Sequence, residues 1–373
     1  MTFSRVLAVS LLATAAGTGC GPSIRLPVLQ PALIGIPAEI QTVAVIDRSK
    51  PKNAGQSVLG ALEGALTGES LQADNEGRAQ AINGALMVMQ NSPRFEVITP
   101  TVTKKEVASD IFDKPWTHQG VKRLCKKHGC DGVIALEAFD TDSFTESGAY
   151  NTDDSKYNAE SSTHWASRRT RIMSSWRFYD ASADRHLDQL RDHESTQTWR
   201  QESTSIQGAM NSLPVQTETI RRVGYKSGEG YARRISPSWV TVTRSYFGGG
   251  SPEMKQAKNH VKAGDWEGAR PLWREVVNGT DDMKLKGKAQ FNLAVAAEVA
   301  GELNKAHKLA KKAAVNLANG KARNYAATLA ARKRAQEKLE EQLTPPEESA
   351  PRTPEKSSGG DSGGSTGGTD LKR

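Results

Sequence analysis

The chain has 373 residues, 37% of them hydrophobic and 25% charged, an ordinary soluble composition and long enough for two domains. No segment beyond the N-terminus approaches the roughly 20 apolar residues of a bilayer crossing, which excludes a membrane-embedded body. The formal net charge of +8 suggests anionic partners, and it is concentrated: between Glu253 and Leu343 stand 18 Lys/Arg against 11 Asp/Glu.

At the N-terminus, Arg5 precedes the apolar run Val6–Ala16, and Gly17-Thr18-Gly19 lead to Cys20. The pattern predicts a signal peptide over 1–19. Its ending resembles a bacterial lipobox, with Gly17 where leucine is usual, and the resemblance implies acylation of Cys20. An ordinary secretory signal cut near Ala15-Ala16-Gly17 would leave Cys20 unmodified. Buried acyl chain contributes about 0.8 kcal/mol per methylene, so two or three chains would hold the protein on a membrane. Gly21, rather than the aspartate of inner-membrane lipoproteins, implies an outer-membrane lipoprotein of the cell envelope. Pro22, Pro27, Pro31 and Pro37 then predict a semi-extended, lipidated linker over 20–40.

Val43–Ile46 reads as a buried strand. Three glycines follow on a four-residue step, Gly60, Gly64 and Gly68. A phosphate loop needs Lys and Ser/Thr directly after its second glycine, and Ala61-Leu62 stand there. Glu63 and Glu69 interrupt a membrane zipper, so the expected use is backbone packing inside the domain. Ala79, Ile82, Leu86 and Met89 recur at helical spacing, and Phe95–Ile98 reads as a second strand. A helix over 117–128 and a strand over 132–139 come next. Strand-like runs fill His164–Glu202 with a turn at Asp180–Asp184, before a helix over 215–234 and the strand Trp239–Thr243. Residues 41–250 are therefore expected to form an α+β domain with a mixed β-sheet.

Gly248-Gly249-Gly250 predicts a hinge, and 251–343 reads as all-α. Around Gly264 and Gly301 the pairs Ala257/Ala294, Ala269/Ala306, Trp273/Ala310 and Val276/Ala313 fall at matched offsets. This is the pattern of a tetratricopeptide-like helical repeat, on a period slightly longer than the usual ~34 residues. Lys321–Leu343 reads as a capping helix, and 344–373, rich in Pro, Gly and Ser, as a disordered tail.

No catalytic motif is legible. His193-Glu194 opens like a zinc-protease helix, but Gln197 occupies the second histidine's place. Asp180 and Asp184 lack the rest of a calcium loop, and no nucleophile elbow occurs. The expectation is a protein with no enzymatic activity, metal or cofactor. Cys125 and Cys130 bracket a helix end in which Gly129 suits the left-handed position; with His128 as C-cap the two cysteines touch. An oxidising periplasm permits a disulfide there, and two reduced cysteines used as small apolar residues fit the same spacing. Without a second pair, zinc is not expected.

Lys305, Lys308, Lys311 and Lys312 share one helix side opposite Ala306, Ala310 and Ala313. The expected partner-binding surface comprises Lys262, Trp266, Arg270, Arg274, Asn292, Lys305, Lys308 and Lys312, presented to an envelope protein by a repeat groove. Nucleic acid is not an expected partner. The alternative is a periplasmic ligand- or glycan-binding module with its site near Asp47, Arg48 and Glu69.

The run Glu63–Glu69, the strand Val43–Ser49, the segment Tyr231–Pro237 and the turn Gly264–Ala269 resemble an uncharacterised family of Gram-negative lipoproteins. In that family a domain of unknown function precedes tetratricopeptide-like helices, and the similarity covers Gln41 to Leu343. The order of strands and helices up to Phe139 is also similar to curli-secretion and penicillin-binding-protein activator lipoproteins. The first resemblance implies an architecture and no particular reaction; the second implies a non-enzymatic part in envelope machinery.

Overall fold

The computed structural model describes residues 22–49, 71–102, 114–154 and 159–344. The expected signal peptide, Cys20, the glycine step with Glu69 and the tail beyond Thr344 lie outside the described residues. The elements run β1 (Ser23–Gln30), β2 (Thr42–Asp47), α1 (Leu71–Gln90), β3 (Glu96–Ile98), α2 (His118–His128), β4 (Gly132–Asp154), β5 (Ala159–Asp180) and β6 (His186–Ser203). They continue through α3 (Ile206–Asn211), α4 (Gln216–Ile235), β7 (Ser238–Ser245), α5 (Pro252–Lys262), α6 (Trp266–Gly279), α7 (Met283–Val299), α8 (Leu303–Leu317) and α9 (Gly320–Leu343). A mixed-sheet α+β domain is thus followed by an all-α unit.

Five strands form one sheet in the order β3-β2-β4-β5-β6. β2 is parallel to β3 and β4, and β4, β5 and β6 are antiparallel. The apolar run of β2 is buried on both faces, as strands between two helical layers are. Val43 and Val45 join Ile134, Leu136, Trp176 and Phe178 beneath α1 and α4. Ala44 and Ile46 face the other way, with Val133, Ala135 and Tyr179 against Val121, Leu124 and Cys125 of α2.

The stretch expected as a spacer belongs instead to the folded body from Pro22 onward. β1 pairs with β7 in an antiparallel ribbon from Ser23↔Ser245 to Gln30↔Ser238, burying Leu26 and Val28. Beyond it, Ala32 exchanges both backbone bonds with the Gln342 amide of α9 at 2.8 and 3.0 Å. The Arg94 guanidinium donates to the carbonyls of Ile36, Pro37 and Ile40 at 3.2, 2.7 and 2.8 Å. Proline suited an extended conformation here as well as in a linker, because β1 is an edge partner and Pro27 needs no ladder donor of its own.

α1 and α4 approach until backbone touches backbone. A Cβ on Gly77 would meet Ile220 at 2.9 Å, and one on Gly84 would overlap the Tyr225 carbonyl. From α4, Gly224 and Gly228 face Gly77 and Ala81 in the same way. Small residues at these positions allow the approach, and Ala81 and Ala85 complete the seam.

The helical unit consists of two hairpins, α5–α6 and α7–α8, closed by α9. Gly264 and Gly301 both adopt φ +78, where a side chain is strained. Around them the backbone bonds repeat: Gly264 donates to Val261 and Gly301 to Glu298, Asp265 to His260 and Glu302 to Ala297. The repeat legible in the sequence is therefore a repeat in backbone geometry.

Candidate functional site

Three places bring the sequence-derived residues together. The first is the carboxyl end of β2 and of the parallel part of β4, where open α/β sheets take ligands. Arg48 there is 3% exposed and donates to both Glu137 oxygens at 2.6 and 2.7 Å and to the Tyr179 hydroxyl at 3.0 Å. Tyr179 also donates to Glu137, and the Trp116 ring lies 5.2 Å from the guanidinium carbon. Burial, then the Glu137 charge, pushes the Tyr179 phenol up to about 12. Asp47 accepts from the Ser49 amide at 2.9 Å and hydroxyl at 2.6 Å. Arg48 is thus a structural cation in a buried ion pair rather than a group presented to a ligand. It is corrected accordingly, because a buried carboxylate and guanidinium require each other.

The second place is the α2 terminus. Gly129 sits at φ 72, the Gly129 and Cys130 amides both donate to the Cys125 carbonyl, and a disulfide joins Cys125 to Cys130 across a Cα separation of 4.4 Å. Both cysteines are buried beside β4 and Tyr179. Alkylation of the unfolded, unreduced protein is expected to find no reactive thiol at these positions. Reduction is expected to lower stability by about 2 kcal/mol, the loop-closure contribution of so short a ring, read as a shifted urea midpoint.

The third place is the helical unit, and here the expected surface divides. Trp266 is only 9% exposed and packs against Trp273 in the core, so it presents nothing to a partner. Asn292 is fully buried; its amide donates to the Phe247 carbonyl at 2.7 Å and accepts from the Phe247 amide at 2.8 Å. Both residues are corrected from surface to interior. The signal was present: Asn292 and Glu298 are polar residues in the otherwise apolar run Phe291–Val299, and buried polar groups find partners.

Those partners lie at the end of β7, on the residues just after it and on α9. Phe247 packs edge-on to Phe291 of α7, under Lys321 of α9 at 4.6 Å. Arg244 donates to both oxygens of Glu298, at 2.8 and 2.9 Å. Tyr325 adds a bond to Glu298 at 2.7 Å, and Arg332 adds another. The face formed by α7 and α9 is covered by residues 244–247.

The opposite side stays open. A groove of about 210 Å³ lies between α6, α7 and α8, floored by Val277, Leu293, Ala297 and Leu309. Arg270, Arg274, Lys305 and Glu302 rim it. Lys305 and Arg270 contact Glu302 at 3.0 and 3.5 Å. The Lys305 bond, with the Arg270 and Arg274 charges, holds the Glu302 carboxyl below its usual value. Arg270 also caps α7 by donating to the Ala296 carbonyl at 3.0 Å. Arg274 is exposed and holds no ion pair among the described residues. Lys308 and Lys312 are exposed on α8 outside the groove, and Lys262 lies on α5. Among the described residues no group of three or more His, Cys, Asp or Glu is arranged for a metal ion, and no helix is long and apolar enough to cross a membrane.

These features define a two-part protein, a mixed-sheet α+β domain followed, after a β-ribbon, by an all-α unit that carries a groove between α6, α7 and α8. Residues 40–247 match the family model described as Domain of unknown function (DUF8603), and the chain belongs to that family. Residues 255–337 match a second model, Domain of unknown function (DUF6340). No curated protein matches the chain.

Proposed function

We propose that the protein is a non-enzymatic, lipid-anchored module of the cell envelope that binds a protein partner through the α6–α8 groove of its tetratricopeptide-like helices. The observation that carries this reading is that groove: an apolar floor with a cationic rim, on a helical face that residues 244–247 do not cover. Apolar pockets ringed by a few charged groups are where protein surfaces anchor a partner. The anchor rests on the lipobox-like ending at Cys20, and the outer-membrane location on Gly21.

The test is co-purification from native membranes with the full chain and with Arg274→Glu/Lys305→Glu. The variant is expected to lose a protein that the wild type retains. Recovery of the same proteins with both would remove the groove from the function. Labelling with palmitate should be present in the wild type and absent in Cys20→Ser, and equal labelling would refute the anchor.

A further inference from the structure

The lysines of α5 have no place in the groove, yet they form an ordered stripe. Lys255, Lys258 and Lys262 fall within one face of α5, alongside the buried stripe of Met254, Ala257 and Val261, with Lys258 half-buried and the other two exposed. The helix has one acid, Glu253, engaged at the helix start with Ser251. None of the three lysines holds an ion pair among the described residues.

Their position relative to the chain's beginning gives the stripe a direction. The Pro22 carbonyl accepts from the Tyr246 amide at 2.8 Å. A Cβ placed on Gly248 would lie 3.1 Å from the Pro22 ring and 2.7 Å from the Lys258 side chain, so Pro22 and Lys258 flank the same point. Cys20 stands two positions before Pro22, a reach of at most about 7 Å. That is within the ~8 Å over which charges act in physiological salt. A lipid held at Cys20 would bring the stripe to the bilayer surface.

We propose that Lys255, Lys258 and Lys262 form a docking face for anionic phospholipid headgroups, which lays the helical unit on the membrane beside the anchor. The proposal rests on the reading of Cys20 as the lipid-attachment residue. With α5 against the lipid, the groove on α6–α8 belongs to a different set of helices and stays available.

The experiment uses the full chain with Cys20→Ser, so that headgroup binding is measured without acyl chains. Vesicles of phosphatidylcholine, with and without about one-third phosphatidylglycerol, are co-sedimented with it. Binding is expected only with phosphatidylglycerol and is expected to vanish at high salt. Lys255→Gln/Lys258→Gln/Lys262→Gln, which keeps the aliphatic stems, should weaken it about a hundredfold, since each lysine near an anionic surface contributes roughly equally. The matched change Lys305→Gln/Lys308→Gln/Lys312→Gln should weaken it less than threefold. Equal binding to both vesicle types, no binding to either, or equal losses for the α5 and α8 variants would overturn the proposal. Palmitate labelling of the wild type reports separately on the anchor.

Discussion

Gly228→Ala is expected to destabilise the α+β domain by at least about 3 kcal/mol, although alanine is the better helix former by about 1 kcal/mol. Gly228 lies in the interior of α4, and propensity alone predicts a gain. The added Cβ would overlap the carbonyl oxygen of Ala81 and lie 2.7 Å from its carbonyl carbon and 2.9 Å from the Ala85 amide nitrogen. These are backbone atoms of α1, so no rotamer change relieves the contact and the two helices must part. Their parting would loosen Tyr231, stacked on Trp176 with centroids 4.9 Å apart, and with it the core above β2 and β4. Gly279→Ala, at the end of α6 with nothing within 4 Å, is the control and should change stability by less than about 1 kcal/mol. Urea denaturation of both variants decides it; a stabilised Gly228→Ala would show that the helices do not pack at this distance.

That seam shows what could be read from the chain and what could not. The glycine step at Gly60–Gly68 stands out in the sequence because its spacing is regular. The glycines that bring α1 and α4 together are Gly77, Gly84, Gly224 and Gly228, split between segments about 140 positions apart. Pairing them requires knowing that the two helices meet, and helical periodicity within each segment carries no such information. Local patterns did better: the β2 run, the Gly129 cap and the matched turns at Gly264 and Gly301 all depend on residues within a few positions of one another. β1 was missed for the same reason. Its prolines fit an extended chain, and whether that chain is a spacer or a strand depends on β7, more than 200 residues away.

The helical surface was half legible for a related reason. Arg270, Arg274 and Lys305 converge on one groove because they occupy exposed or half-exposed turns of α6 and α8, as amphipathic spacing indicates. Asn292 and Trp266 share the polar or amphipathic character of such positions, but tertiary partners bury them. A polar residue in an apolar helix was evidence of an internal contact.

The largest effect outside the helix seam is expected at Glu298. Its side chain is fully buried and accepts from Arg244, Tyr325 and Arg332, linking β7 to α7 and α9. Glu298→Gln removes the charge and leaves two guanidinium groups, 13% and 21% exposed, facing a neutral amide. Breaking one side of such a pair costs about 3–5 kcal/mol. Burial pushes the Glu298 carboxyl up, but the bonds from Arg244, Tyr325 and Arg332 more than offset it and hold the group below its ordinary value. A carboxyl depressed in the folded state contributes stability that is fully present above the unfolded value near 4.3 and is lost as pH falls through the folded value. The wild type is therefore expected to exceed Glu298→Gln by the full amount at pH 7, and by progressively less once the pH drops below about 4. Urea midpoints at a series of pH values measure this, and a pH-independent difference would mean that the carboxyl does not carry the linkage. Because Glu298 and Asn292 together hold residues 244–247 against the helices, the variant should also expose Gly248–Gly250 to limited proteolysis at pH 7. Unchanged cleavage there would place the grip on this segment elsewhere, in the Asn292 amide and the Phe247–Phe291 contact.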